Sequence, residues 1–187
     1  MNEKRSFISF LNKFGITLAF LFFIPTLMYG LDITLDWDAN TEPDLAGYRI
    51  YYKQSSSGPP YNGTGLIYNG NTVDSPIDVG NTTQVTISLL SQENCYFVVT
   101  AYDNETPSLE SGYSNEVSMI KGDVNNDGII DSGDAILVLR YDSGLATLTE
   151  KEKWCGNVTG KPNDDNINSD DALKILNYSV GLIASLD

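Results

Sequence analysis

The chain has 187 residues, 25 acidic against 11 basic side chains, a formal net charge of −14 and no histidine. That balance excludes nucleic acid as a partner, because phosphate contacts need clustered Lys and Arg. Without histidine the commonest general base and transition-metal ligand are gone. No Gly-x-Ser-x-Gly or phosphate-cradling glycine loop occurs either, so the chain reads as a non-enzyme.

Residues 1–30 begin with Lys4, Arg5 and Lys13, then run from Phe14 to Tyr29 without a charge, through Leu18-Ala19-Phe20-Leu21-Phe22-Phe23-Ile24 to Pro25. A basic start followed by an apolar stretch is the layout of a secretory signal peptide. Cleavage is expected after Gly30, although Met28 is larger than the residue favoured three back from such a site. The run is short for a membrane span and Pro25 interrupts it. Two outcomes stand. Removal leaves a secreted or cell-surface protein, and retention makes the segment a membrane anchor. All but one of the acidic side chains lie beyond Gly30, with only eight of the basic ones.

Residues 31–120 read as an all-β unit, with short alternating runs punctuated by Gly, Pro, Asn and Asp. Ile33, Leu35 and Trp37 alternate in a first strand, and Tyr48, Ile50 and Tyr52 in a second. Val85, Ile87 and Leu89 mark a third, Cys95, Phe97, Val99 and Ala101 a fourth, and Tyr113 to Met119 a last. Gln54 to Gly65 is rich in Ser, Gly and Pro and is expected to be a loop. Only Arg49 and Lys53 offset the acidic groups of this unit.

Four segments resemble a fibronectin type III domain: Ile33-Thr34-Leu35-Asp36-Trp37, Gly47-Tyr48-Arg49-Ile50-Tyr51-Tyr52, Phe97-Val98-Val99-Thr100-Ala101-Tyr102-Asp103 and Ser114-Asn115-Glu116-Val117-Ser118. The resemblance implies an immunoglobulin-like β-sandwich with its first strand truncated or absent, leaving an edge that needs protection. It also places Cys95 where the family has a corner tyrosine, with Tyr96 on the other face. Tyr51, Tyr61, Tyr68 and Tyr96 are candidates for stacking on sugars, set against ordinary core and strand roles.

Residues 121–187 carry a repeat. Ser132-Gly133-Asp134-Ala135-Ile136-Leu137-Val138-Leu139-Arg140-Tyr141 returns as Ser169-Asp170-Asp171-Ala172-Leu173-Lys174-Ile175-Leu176-Asn177-Tyr178. Leading into the first copy and ending within it, Asp123, Asn125, Asp127, Asp131 and Asp134 stand at loop positions 1, 3, 5, 9 and 12, with the Ile129 carbonyl at 7 and Gly128 at the sharp turn. A hard divalent cation such as calcium needs this convergence of oxygens, and four carboxylates so close would repel one another without it. The second loop matches with Lys161-Pro162-Asn163 inserted. Its expected ligands are Asn157, Thr159, Asp164, Asn168 and Asp171, with the Asn166 carbonyl, and Asp165 replaces the turn glycine. Two carboxylates and a longer loop predict weaker calcium binding, or none.

Leu145 to Trp154 is expected to be a connecting helix, with Thr149 and Glu152 as a capping box. Ile136, Leu139 and Tyr141, with Leu173, Leu176 and Tyr178, are expected to pack together at helical spacing. Trp154 is expected to fill the same core.

Two loop-plus-exit-helix repeats, each with Asp then Ala at positions 12 and 13 and no entering helix, resemble the dockerin family. Dockerins are small calcium-folded modules that bind cohesin domains and commonly travel on polysaccharide-degrading enzymes. The resemblance implies a small α-helical, EF-hand-like domain over 121–187, a prokaryotic source and a cohesin-like partner. Its docking surface carries over to Ser132, Gly133 and Arg140 in the first copy and Ser169, Asp170 and Asn177 in the second. These residues differ between copies, which disfavours two equivalent docking orientations.

Cys95 and Cys155 are the whole cysteine inventory. Export permits a disulfide between the two units, and spacing does not decide whether one forms. Three readings of function compete. They are an exported adaptor docking through its calcium module, a surface glycan-binding protein in which calcium only stabilises, and a self-assembling structural envelope protein.

Overall fold

The computed structural model describes residues 30–159 and 166–186. The segment read as a signal peptide, and the part of the second loop containing Asp164 and Asp165, lie outside the described residues.

Eight strands follow Gly30: β1 (Leu31–Asp36), β2 (Leu45–Gln54), β3 (Leu66–Tyr68), β4 (Asn71–Val73), β5 (Ile77–Gly80), β6 (Gln84–Leu89), β7 (Cys95–Asp103) and β8 (Val117–Met119). They form two antiparallel four-stranded sheets, in the orders β1-β6-β3-β4 and β5-β2-β7-β8. Alternation explains the pairing, since a period of two places every second side chain on one face. Ile33, Val85, Ile87 and Leu89 of one sheet and Ile50, Tyr52, Cys95 and Phe97 of the other share a single buried cluster. That is compatible with a β-sandwich.

The alternating runs expected to be strands fall within β1, β2, β6 and β7, apart from Trp37, one residue beyond β1. The last strand is shorter than expected. At Ser111 and Ser114 the side-chain hydroxyls accept from the β7 amides of Ala101 and Val99, 3.0 Å in each case. A hydroxyl taking the place of a main-chain acceptor breaks the regular ladder, so pairing resumes only at Val117. The β3–β4 hairpin and β5 went unread in the sequence. The hairpin has its own signal, Asn69-Gly70, with φ of 49° and 75°; the positive angles are those of a type I′ turn.

Cys95 is buried at the start of β7, and its thiol donates to the Glu93 carbonyl at 3.5 Å. A weak sulfur bond thus stands where the resemblance places a tyrosine hydroxyl. Both cysteines are free and buried, and burial pushes the thiols up, to about 12 for Cys95 and about 11 for Cys155.

Three short helices follow the strands: α1 (Ser132–Asp142), α2 (Glu150–Gly156) and α3 (Ser169–Ser179). Thr149 and Glu152 form the expected capping box, but α2 starts at Glu150, so Leu145 to Leu148 are not helical. Helices α1 and α3 pack on each other, and α2 lies against β1.

Two carboxylates organise loops on the second sheet. Glu110 accepts from Arg49 Nη1, Tyr51 Oη and Thr100 Oγ1. Glu116 accepts from Ser57 Oγ, Gly58 N and Tyr61 Oη at 2.7, 2.9 and 2.7 Å. Burial opposes their ionisation, yet these hydrogen bonds, with the charges of Arg49 and Lys53, hold both carboxyls below their ordinary value. Their stabilisation is therefore complete above the unfolded carboxylate pKa of about 4.3 and is lost as pH falls through the lower folded values. Urea unfolding from pH 6 to pH 3 should show a shallower acid loss in Glu110→Gln/Glu116→Gln than in the wild type. Parallel curves would refute this assignment.

Candidate metal centre

The first loop runs from Asp123 to Asp134 and is wound by its own acidic side chains. Asp123 accepts from Asp127 N through Oδ1 and from Gly128 N through Oδ2, both at 3.1 Å. Asn125 Oδ1 accepts from Asp127 N at 3.0 Å, and Asp127 Oδ1 from Ile129 N at 2.9 Å. Gly128 holds a φ of 84°, which a side chain would resist, so the turn glycine sits where the pattern demands it. Asn126 is also left-handed, at 60°, and its Oδ1 accepts from Lys151 Nζ at 2.7 Å.

Asp134 closes the loop. It is fully buried, its Oδ1 accepts from Val124 N at 2.7 Å and Asn125 N at 3.0 Å, and its Oδ2 from Asp131 N at 2.9 Å. Asp171 repeats this bond for bond. It too is fully buried, with Oδ1 accepting from Val158 N at 2.9 Å and Thr159 N at 2.8 Å, and Oδ2 from Asn168 N at 3.0 Å. The Asp131 and Asn168 side chains cap their helices in matching capping boxes. The helices also end alike. Gly144 and Gly181 are left-handed, and Leu145 N and Leu182 N reach back to the Arg140 and Asn177 carbonyls. Among the described residues, the two copies match in their closing bonds, helix caps and helix ends.

That closure corrects the expected core. An inward Asp134 brings Val138 and Tyr141 to its own face at four and seven residues on, and turns Ile136 and Leu139 outward. Accordingly Ala135, Val138, Ala172 and Ile175 are buried, with Tyr141 and Tyr178 packed partly buried against them. Ile136, Leu139, Leu173 and Leu176 are exposed, at 53, 44, 56 and 40%. Trp154 is a second correction. It is buried, but in the cluster of the two sheets, with Cys155 beside it. Short α2 lies against β1 and so turns these side chains toward the sheets.

Of the first-loop residues, Asp123 is buried, whereas Asn125, Asp127, Ile129 and Asp131 are exposed around the closing Asp134. Burial, with the neighbouring charges of Asp134 and Asp127, holds the Asp123 carboxyl above its ordinary value, against bonds from Gly128 N and Asp127 N. These side chains offer carboxylate and amide oxygens, the donor type that a hard cation takes. In the second loop Thr159 and Asn166 are exposed and Asn157 and Asn168 half-buried, while Thr159 Oγ1 donates to Asp171 Oδ1 at 2.7 Å. Among the described residues, the three carboxylates whose oxygens come within 4.8 Å of one another are not in either loop. They are Asp44, Asp103 and Glu105, where Asp103 Oδ1 caps a turn by accepting from Glu105 N and Leu109 N at 3.2 and 2.8 Å.

The expected docking residues Ser132, Arg140, Ser169 and Asp170 are exposed, and Gly133 and Asn177 are half-buried. Two lysines escaped the sequence reading. Lys174 Nζ donates to the Val158 and Leu186 carbonyls at 2.7 and 2.8 Å, tying the second loop to the C-terminal tail. Lys121 is buried over the Trp154 ring, 3.9 Å from its centroid, and donates to the Trp154 and Asn157 carbonyls. Burial pushes its ammonium down to about 8, although two carbonyl acceptors and a ring face favour the charged form. No alternating pattern flags a cation inside a junction.

No family model, curated protein or solved structure matches this chain.

Replacing Asp134 by Ala leaves three loop amides without their acceptor, each worth about 1–3 kcal/mol when buried. Urea unfolding in chelator should show Asp134→Ala destabilised by about 3 kcal/mol or more, with Asp171→Ala similar. A loss that appears only when calcium is present would contradict the closing role.

Proposed function

We propose that the chain is an exported, calcium-stabilised adaptor that docks through residues 121–187 onto a cohesin-like partner, in a polysaccharide-processing or cell-surface assembly. The two-sheet unit serves as spacer or second contact, and the chain is not an enzyme. The observation that carries the reading is the duplicated loop-and-helix unit with its exposed apolar residues. Ile136, Leu139 and Leu145 in the first copy are matched by Leu173, Leu176 and Leu182 in the second. Apolar residues left out of the core in corresponding places support an interaction surface, beside the resemblance of the sequence to dockerins.

In this reading Asp123, Asn125, Asp127, the Ile129 carbonyl, Asp131 and Asp134 hold calcium. When bound, the ion supplies the positive charge that their carboxylates lack. The second loop binds more weakly. The strand orders and the shared cluster support a fibronectin type III-like sandwich. Sugar stacking draws less support. Tyr51 and Tyr61 sit edge-on to Tyr113, at 5.2 and 5.1 Å between centroids, and their hydroxyls are committed to Glu110 and Glu116.

Two measurements test this. In calorimetric titration Asp127→Ala should weaken calcium binding by at least about tenfold, the loss of one carboxylate ligand, and Asp164→Ala by less. Equal binding by both variants and the wild type would refute the first loop as the dominant site. In affinity capture, the full chain should retain a protein partner in calcium but not in chelator, and Leu139→Asp/Leu176→Asp should abolish retention. Retention of glycan instead would displace the adaptor reading.

A further inference from the structure

We infer that cation occupancy in the loops and the stability of the two-sheet unit form one linked equilibrium, coupled through Lys121 and Trp154. The inference rests on the calcium reading above, and its parts are all at the junction of the two units.

Trp154 and Cys155 belong to α2, yet both are buried in the cluster that the two sheets share. The sheet unit therefore has its core completed by side chains from the helical unit. Lys121 fastens the same place from the other side. Its main-chain N–H donates to Asn94 Oδ1, in the β6–β7 connection, at 2.8 Å. Its ammonium donates to the Trp154 and Asn157 carbonyls and lies on the Trp154 ring. One residue on, Gly122 N donates to the Cys155 carbonyl at 2.8 Å. Gly122 has a φ of 91°, which a side chain would resist, and a Cβ there would press on Leu186 Cδ1.

Both loops start from this junction. Asp123, first position of the first loop, follows Gly122 directly. Asn157, first position of the second, follows Gly156 and accepts from Lys121 through its carbonyl. Opening the second loop frees Asn157, whose carbonyl the junction holds, and opening the first loosens Asp123, whose N–H donates to the Ile120 carbonyl beside Lys121. Separating the junction strips the Lys121 ammonium of two carbonyls and a ring, and exposes Trp154. Opening the second loop with the junction still closed would leave the ammonium buried without the Asn157 carbonyl, which is costly, so loop opening and junction separation occur together. Anything that binds only the closed loops then stabilises the sheets as well, and linkage makes the effect reciprocal.

The test is amide hydrogen exchange on the full chain, with and without calcium, alongside calorimetry on the same samples. At calcium near 100 times its dissociation constant, exchange of the slowest β2, β6 and β7 amides should slow about 100-fold in the wild type. In Lys121→Met calcium should slow exchange within 121–187 while sheet amides change by less than about twofold. Lys121→Arg, which keeps cation and donors, should restore the coupling. If Lys121→Met does not fold, Trp154→Leu, which removes the ring under the ammonium, takes its place. Calcium bound by calorimetry with sheet exchange unchanged in the wild type would overturn the linkage and leave the calcium reading standing. Absence of calcium binding would overturn both.

Discussion

A buried carboxylate must have its oxygens bonded or it will not stay buried, and Asp134 and Asp171 impose that demand twice. Each is met by three main-chain N–H groups, two from the start of its loop and one from its end. The bonds convert an open acidic stretch into a closed loop and at the same time set the rotation of the helix that follows. Everything on α1 and α3 is then in phase with the aspartate. Val138 and Ile175 go in, and Ile136, Leu139, Leu173 and Leu176 go out. Loop closure and the apolar outer faces are two consequences of one constraint.

The second constraint is size. A helical unit of about 65 residues buries little apolar surface on its own, and its cluster is built largely from Ala, Val and Ile. It spends its one tryptophan on the neighbouring sheets rather than on itself. Its helix α2 lies against β1, the strand at one end of its sheet. The edge expected to need protection thus abuts the helical unit. A lysine buried at that contact marks it as a built junction rather than a flexible linker, since an unpaired ammonium would not be tolerated there.

The strands β1, β2, β6 and β7 were legible because period-two alternation is a local property of sequence. The closing carboxylates Asp134 and Asp171 were legible because they recur at one place in the repeat, and Gly128 is left-handed where the first-loop pattern puts its turn. The phase of α1 and α3 was not. Ile136 and Leu139 have helical spacing, but so do Ala135 and Val138, and hydrophobicity alone favours the larger residues. Only the inward Asp134, a contact across ten residues, decides between them. Trp154 and Lys121 were illegible for a related reason. Their partners are Asn94, Asn157 and the sheet cluster, and no window of sequence contains them together. The β3–β4 hairpin was different, since Asn69-Gly70 announced it and only its short flanks concealed it.

The central claim, that the acidic stretch from Asp123 to Asp134 is a calcium loop, is tested most directly by anomalous scattering from crystals of the full chain grown with calcium. The account predicts a peak within that loop, with oxygens of Asp123, Asn125, Asp127, Ile129, Asp131 and Asp134 at roughly 2.3–2.6 Å. No peak there, or a peak only beside Asp44, Asp103 and Glu105, would contradict it.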